Sequence, residues 1–451
     1  MAARPVIVQP PQRVFALMSP TRLVFLWLTW FPAFHLHAQE TAVNAFWLDS
    51  KLTLSMRNYA EHLDIDGKAN RHAWVQGVRA EYESGFTRGP LGFGVDLSPF
   101  VALRLDGGNG ARNMTHYEQD GSGQGDVAWG YLGAYALKIR SPVGVVKYGL
   151  QTVNNPFLAP YDIRALPPTF RGFSFDGVKA GGLQWTAGSF DGVVARGATQ
   201  VTTLTTSTGA IAFDRFSYAG VEWNDDRFGQ IALFAGHADD LWNQIYASWA
   251  YSVGDPQSFK WSGRVDTYLT RSTGGARQGD IANQASSLST ALQHGESSIL
   301  LAYQQVFGDQ FFDYIQETAG IQLANSAGAD YNAPHEKSVQ VRFSFGGRAF
   351  GYPGASVTLR YIRGWAADGS TGAERYTALG TPLHDLYWIG DKPMSGDHHE
   401  YGFTFRYRMQ AGAFNGWTWQ FSHTQHVATP YYSERTFRLN RILVNVPIQF
   451  L

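Results

Sequence analysis

From residue 45 onward the chain alternates apolar and polar residues in segments of about ten, parted by clusters of Gly, Asp, Asn and Ser. In "KLTLSMRNY", Leu52, Leu54 and Met56 share one face, while Lys51, Thr53, Ser55 and Arg57 share the other. "LGFGVDLS" sets Leu91, Phe93, Val95 and Leu97 against Gly92, Gly94, Asp96 and Ser98. "WGYLGAYALKIR" sets Trp129, Tyr131, Tyr135, Leu137 and Ile139 against Lys138 and Arg140. "SVQVRFSF" and "EYGFTFRYR" repeat the pattern, as does the last segment, "NRILVNVPIQFL". The spacing predicts about eighteen strands, almost no helix and no linker between domains. One stretch breaks the habit. "NPFLAPYDIRALPPTFRGFSF" (155–175) carries Pro156, Pro160, Pro167, Pro168, Arg164 and Arg171, and does not alternate.

A soluble sandwich or propeller would bury the apolar faces as a core, whereas an outer-membrane barrel turns them to lipid and keeps the polar faces in a wet lumen. Three features favour the barrel. Tyr, Trp and Phe gather near strand ends, as in an aromatic girdle, and the opposite faces carry charges that a packed interior would not tolerate unpaired. The chain also ends on apolar Phe450 and Leu451, like the assembly signal of outer-membrane barrels, with Leu in place of the commoner Phe. The expected fold is therefore all-β, a transmembrane antiparallel barrel of about 18 strands.

Composition narrows the picture. A net charge of -1 supplies no field to gather nucleic acid or an anionic membrane surface. Aromatics at 15% argue against disorder. The absence of cysteine removes disulfides and thiolate metal sites. At the N-terminus, Arg22, the apolar run 23–34 and "LHA" before Gln39 predict a signal peptide over 1–38, with Met18 an alternative start. The remainder, 39–451, is expected to form one barrel domain. It contains no run of about twenty apolar residues.

Seven pieces in order give the chain a family resemblance. They are "WVQGVRAEYESGFTRGPLGFGVD" (74–96), "RALPPTFRGF" (164–173), "QGDIANQASSLSTAL" (278–292), "LAYQQVFGDQFFDYI" (301–315), "LANSAGADYNAPHEKSVQVR" (323–342), "GYPGASVTLRYIRG" (351–364) and "DHHEYGFTFRYRMQAG" (397–412). The chain resembles the OprD family of substrate-specific outer-membrane porins over essentially its whole mature length. The resemblance implies an eighteen-stranded barrel, monomeric or loosely trimeric, in the outer membrane of a Gram-negative cell. Its partners would be lipid, lipopolysaccharide and the barrel-assembly machinery. It further implies diffusive uptake of small anionic or zwitterionic solutes such as amino acids, short peptides and organic acids, with no cofactor and no catalysis.

The inward faces carry Arg57, Arg79, Lys138, Arg140, Lys147, Lys260, Arg264, Arg342, Arg360, Arg406, Arg408 and Arg441, and fewer acids: Asp49, Glu81, Glu83, Asp96 and Asp266. A line of guanidinium groups along a wet wall attracts carboxylates, each group holding the ligand weakly enough to pass it on. The resemblance places Arg57, Arg140, Arg342, Arg360, Arg406 and Arg441 on the family's basic ladder. Lys147 joins them on the pathway, Arg408 is an extra cation, and Gln420 and Ser422 stand where some members carry ladder arginines. The plainer reading is cross-strand ion pairing, for example Arg79 with Glu81 or Glu83.

By the same resemblance two external loops fold inward to narrow the pore. The third contributes Arg164, Pro167 and Thr169. The seventh (307–336) contributes Tyr314 and Asp330, an electronegative pocket opposite the ladder. Gly328 replaces a tyrosine there, which implies a wider or less acidic pocket, and the plainer reading of Asp330 is a local Asx turn. In "DHHEY", His398 and His399 lie on opposite strand faces, so no metal is expected. No GxSxG elbow, P-loop or dinucleotide fingerprint occurs. A barrel hydrolase and a non-conducting structural or adhesive barrel are the alternatives.

Overall fold

A computed structural model describes residues 44–68, 70–106 and 127–449. The expected signal at 1–38, its alternative start at Met18 and the apolar end at Phe450 and Leu451 lie outside those residues. Among the described residues, eighteen strands form one antiparallel sheet. The first, Lys51–Ile65, pairs along its length with the last, Phe437–Gln449, so the sheet closes and no edge is left unpaired. In lipid this closure is obligatory, because an open edge would strand backbone N–H and C=O groups without water.

The connections differ sharply between the two ends. At one end they are short, as at 142–143, 226–228 and 295–296. At the other they include the long segments 152–168, 195–215, 308–336 and 369–394. Short turns belong to the periplasmic end and long loops to the outside. The outer wall carries Phe93, Leu137, Leu233, Trp249, Leu288 and Leu301, all exposed. In water such a surface would aggregate; against acyl chains it is satisfied.

Two departures from strict alternation matter. The register between Gly92–Asp106 and Ala128–Ser141 slips at Ser98/Pro99. As a result Trp129 and Tyr131, expected on the lipid face with Leu137, turn inward instead. Trp129 is buried, and Tyr131 meets the Phe100 ring edge-on at 5.7 Å. Gly133 permits this, since a Cβ there would lie 2.0 Å from that ring. The inward face is also not uniformly polar. Phe190, Phe216, Phe234, Trp242, Tyr246 and Tyr268 point inside and form one buried cluster with Phe157, Leu158, Phe312 and Ile315 from the loops. The barrel therefore has a true hydrophobic core, made where loops dock on its inner wall.

Candidate functional site: the constriction

The 152–168 loop enters the lumen through a local turn. Asn155 Oδ1 accepts the Phe157 and Leu158 amides at 2.9 and 3.0 Å. This directs Phe157 into the aromatic cluster, 5.5 Å from Phe216 and 6.3 Å from Tyr268. Tyr268 donates to the Pro156 carbonyl at 3.0 Å, so the wall accounts for a loop carbonyl that water cannot reach. Farther along, Ala165 and Leu166 pack on Tyr59, Val75, Phe100 and Trp129. Gly77 makes that approach possible: a Cβ there would stand 2.4 Å from the Ala165 carbonyl oxygen. Pro167 is buried beside them, and its fixed φ holds the turn without a strand partner. Thr169, expected in the loop, instead opens the strand Thr169–Gly177. It is fully buried there and donates to the Gly133 carbonyl at 2.8 Å. Arg171 pairs with Asp191 at 2.7 Å.

The 308–336 loop lies against it. Pro160 bridges Thr318, and the Tyr161 amide donates to the Glu317 carbonyl at 3.1 Å. A third loop, 195–215, completes the constriction and carries a residue that sequence reasoning missed. Arg196 donates to Glu317 at 2.6 Å through Nε and stacks its guanidinium 4.5 Å over the Tyr161 ring, joining all three loops. Burial works against the Glu317 carboxylate, but Arg196 outweighs it and holds the group below its ordinary value. Burial draws Arg164 down to about 10, with Arg196 adding like-charge repulsion. Asp313 is fully buried and accepts the Thr208 and Tyr314 amides at 2.9 and 2.7 Å and the Gln278 side chain. Burial nonetheless pushes its carboxyl up to about 6.

Tyr314 donates to Asp330 Oδ2 at 2.7 Å, so the two residues paired by the resemblance do meet. Burial raises the Asp330 carboxyl above its usual range even though Tyr314 and Ser326 donate to it. Burial, then Asp330, likewise pushes Glu434 well up. Gly328 lies against a further carboxylate. Its amide donates at 2.8 Å to Glu400 Oε2, and a Cβ would sit 2.6 Å from that oxygen. Glu336, Glu400 and Glu434 all act on Asp330 or on its neighbours.

The inward cations divide into three groups. Some are tied to the wall or to loops. Arg57 donates to Asp162 (Nη1 to Oδ1, 2.5 Å; Nη2 to Oδ2, 3.1 Å), to the Arg164 carbonyl at 2.9 Å and to Asn445 at 2.7 Å. Arg441 donates twice to Glu61, at 2.9 and 2.7 Å, and Arg360 pairs with Glu400 at 2.5 Å. Lys138 and Lys147 share Asp96, at 2.6 and 2.8 Å, and Arg264 is paired with Asp266. Others are lightly held. Arg406 donates to Gln420 at 2.8 Å, in the gap left by the missing ladder arginine, and Arg140 lies 4.8 Å over Phe86. The side chains of Arg342, Arg408 and Lys260 make no hydrogen bond or ion pair among the described residues, and Arg342 is paired with Arg360 in the strand register. Arg79 sits on the same strand as Glu81, 3.6 Å away, rather than on a neighbouring one. His398 is buried inward, whereas His399 lies beside Tyr361 and Tyr401.

Burial pushes the Tyr161 hydroxyl up. Arg441 and Arg196 counter that shift, whereas Asp330 and Glu61 add to it. Charges of both signs thus act on one loop tyrosine, and Arg196 stacks on its ring.

A family profile described as outer membrane porin, OprD family, matches residues 44–450. Porin D of Pseudomonas aeruginosa is 30% identical over 435 residues, spanning 92% of this chain and 94% of that protein. The crystal structure of OccD3 (OpdP) from the same organism shares 30% identity at a TM-score of 0.79, covering 90% of this chain and 93% of that one. OccK2 (OpdF) in complex with glucuronate, also from Pseudomonas aeruginosa, shares 26% at a TM-score of 0.74, covering 90% and 100%.

Proposed function

Because the chain belongs to the OprD family of substrate-specific outer-membrane porins, we propose that it takes up small solutes that carry a carboxylate, by diffusion and without catalysis. The solute would be drawn along the lumen by Arg342, Arg406, Arg408 and Arg140, the cations least neutralised by the wall. It would pass Arg164 and Arg196 at the constriction, with Tyr314 and Asp330 meeting its polar or cationic end.

The observation that carries this reading is the set of lightly held cations on the inner wall, Arg342, Arg406, Arg408 and Arg140, together with the Tyr314–Asp330 pair on the constriction loop. Opposed charges in a confined, partly desolvated passage favour a solute with an anionic head, and a zwitterion over a neutral solute of the same size. Weak, repeated sites suit passage, because a group bound too tightly does not leave. Glucuronate, the ligand of the OccK2 complex, is a carboxylate of suitable size for a test.

Proteoliposome uptake of glucuronate should exceed that of glucose, and Arg342→Gln should lower the ratio. Equal uptake of the two by the wild-type protein would overturn the proposal.

A further inference from the structure

Where the 308–336 loop returns to the wall, four side chains form a chain of hydrogen bonds out of reach of water. Glu336 Oε1 meets His398 Nε2 at 2.5 Å, both side chains being 0% exposed. His398 Nδ1 meets His426 Nε2 at 2.7 Å, and His426 Nδ1 meets the Arg435 carbonyl at 2.9 Å. Tyr432 donates to Glu336 Oε2 at 3.0 Å, and the Ala333 amide donates to the same oxygen at 2.9 Å. The His398 ring lies between two tyrosines, Tyr331 at 4.2 Å and Tyr432 at 4.0 Å, both nearly parallel to it.

The number of protons follows from the contacts. A carbonyl only accepts, so His426 Nδ1 carries hydrogen. The His398–His426 contact needs one proton, and so does the His398–Glu336 contact. All three bonds therefore exist only when the trio holds one proton more than a carboxylate and two neutral imidazoles. That third proton lies at the Glu336–His398 contact, where the other Glu336 oxygen already accepts from Tyr432 and the Ala333 amide. Two tyrosine faces around an imidazole are a setting that favours a cation. Adding a proton makes both rings donors and sets two N–H groups against each other. Removing one leaves facing lone pairs at one of the contacts. Either change breaks the chain.

We infer that His398 and His426 form a buried proton relay that positions the acidic side of the constriction and holds only within a bounded pH window. The relay ties the returning loop (Glu336, Tyr331) to the 429–436 loop (Tyr432, Arg435) and to two wall strands. Asp330 immediately precedes Tyr331, and its amide donates to Glu434 at 3.3 Å, so a break moves the pocket from both sides. Other charged groups face the relay. Glu400 lies opposite His426 in the register, with Arg360 paired to it, and His399 acts on His426. Glu336 also acts on Asp330. His398 and His426 are positioning residues here. The inference rests on the proposed role of Asp330 only for its effect on solutes.

The test is single-channel recording of the full-length porin from about pH 4 to about pH 9, a span that brackets ordinary imidazole titration. Wild type should show a bell-shaped open-state occupancy, with closures rising at both limits. His426→Gln offers one acceptor to His398 and one donor to the Arg435 carbonyl and does not titrate, so it should lose the acid limb and keep the alkaline one. His398→Phe, which can neither donate nor accept, should lose both. Heat-modifiable gel mobility reports whether each variant is a folded barrel. A pH-flat wild type, or an acid limb that survives in His426→Gln, overturns the inference. If the acid limb is lost but Asp330→Asn leaves glucuronate uptake unchanged, the relay is upheld and the pocket reading fails.

Discussion

Arg57 was expected to lie on the conduction ladder; its guanidinium is also tied to the 152–168 loop, and whether it anchors that loop or conducts can be measured. Its guanidinium spends its donors on Asp162, the Arg164 carbonyl and Asn445, and its side chain is only 17% exposed. Arg57→Met would leave Asp162 without its charge partner, and the Asp162 and Arg164 carbonyls, 3.3 and 2.9 Å from Nη1, without that donor. Breaking a buried ion pair by removing one partner costs about 3–5 kcal/mol. An exposed pair is worth at most about 1 kcal/mol. Asp162, at 31% exposed, lies between these limits, so about 2 kcal/mol is expected on loop docking. That raises the undocked fraction of the 152–168 loop about thirtyfold. Barrel stability should hardly change, because Phe157, Ala165 and Leu166 keep their apolar contacts.

The assay is single-channel current noise together with protease sensitivity of the loop, run as a double-mutant cycle with Asp162→Asn. Anchoring predicts a noisy open state and a coupling energy of about 1 kcal/mol or more between the two sites. If Arg57→Met instead gives quiet channels with reduced anion preference, and Asp162→Asn is silent, Arg57 conducts and the reasoning fails.

Three further outcomes follow from the same contacts. Asp96→Asn should free Lys138 and Lys147 and raise anion-over-cation permeability, by less than about fivefold because water and salt screen the lumen; reversal potentials in a salt gradient check this. Arg342→Gln should lower carboxylate uptake more than Lys147→Gln, since Asp96 already neutralises the lysine; proteoliposome uptake compares them. For Asp313, the docked loops bind the proton more tightly than undocked ones, since its carboxyl rises from 3.8 to about 6. Docking should therefore strengthen as pH falls from about 6 towards 3.8, by about 3 kcal/mol at most, and Asp313→Asn should flatten the trend in limited proteolysis.

Period-two alternation was enough to specify a barrel of about eighteen strands, because a strand between lipid and water must sort its side chains by face. It also showed where a loop departs from that rule, at Pro156 to Pro168. The same rule misled where the inner wall meets protein instead of water. Trp129 and Tyr131 looked lipid-facing because a one-residue slip at Ser98/Pro99 leaves no mark in the pattern. Arg196 gave no signal either, since a lone arginine in a loop says nothing about the Glu317 and Tyr161 that it will meet. The sequence by itself determined the alternation that sorts charged from lipid-facing positions along most strands, and local chemistry accounts for that. Tertiary structure alone decided which cations are cancelled, as Arg441 is by Glu61, and which stay available, as Arg342 does. Glu61 lies 380 residues before Arg441, and only closure of the barrel brings the two within hydrogen-bond reach.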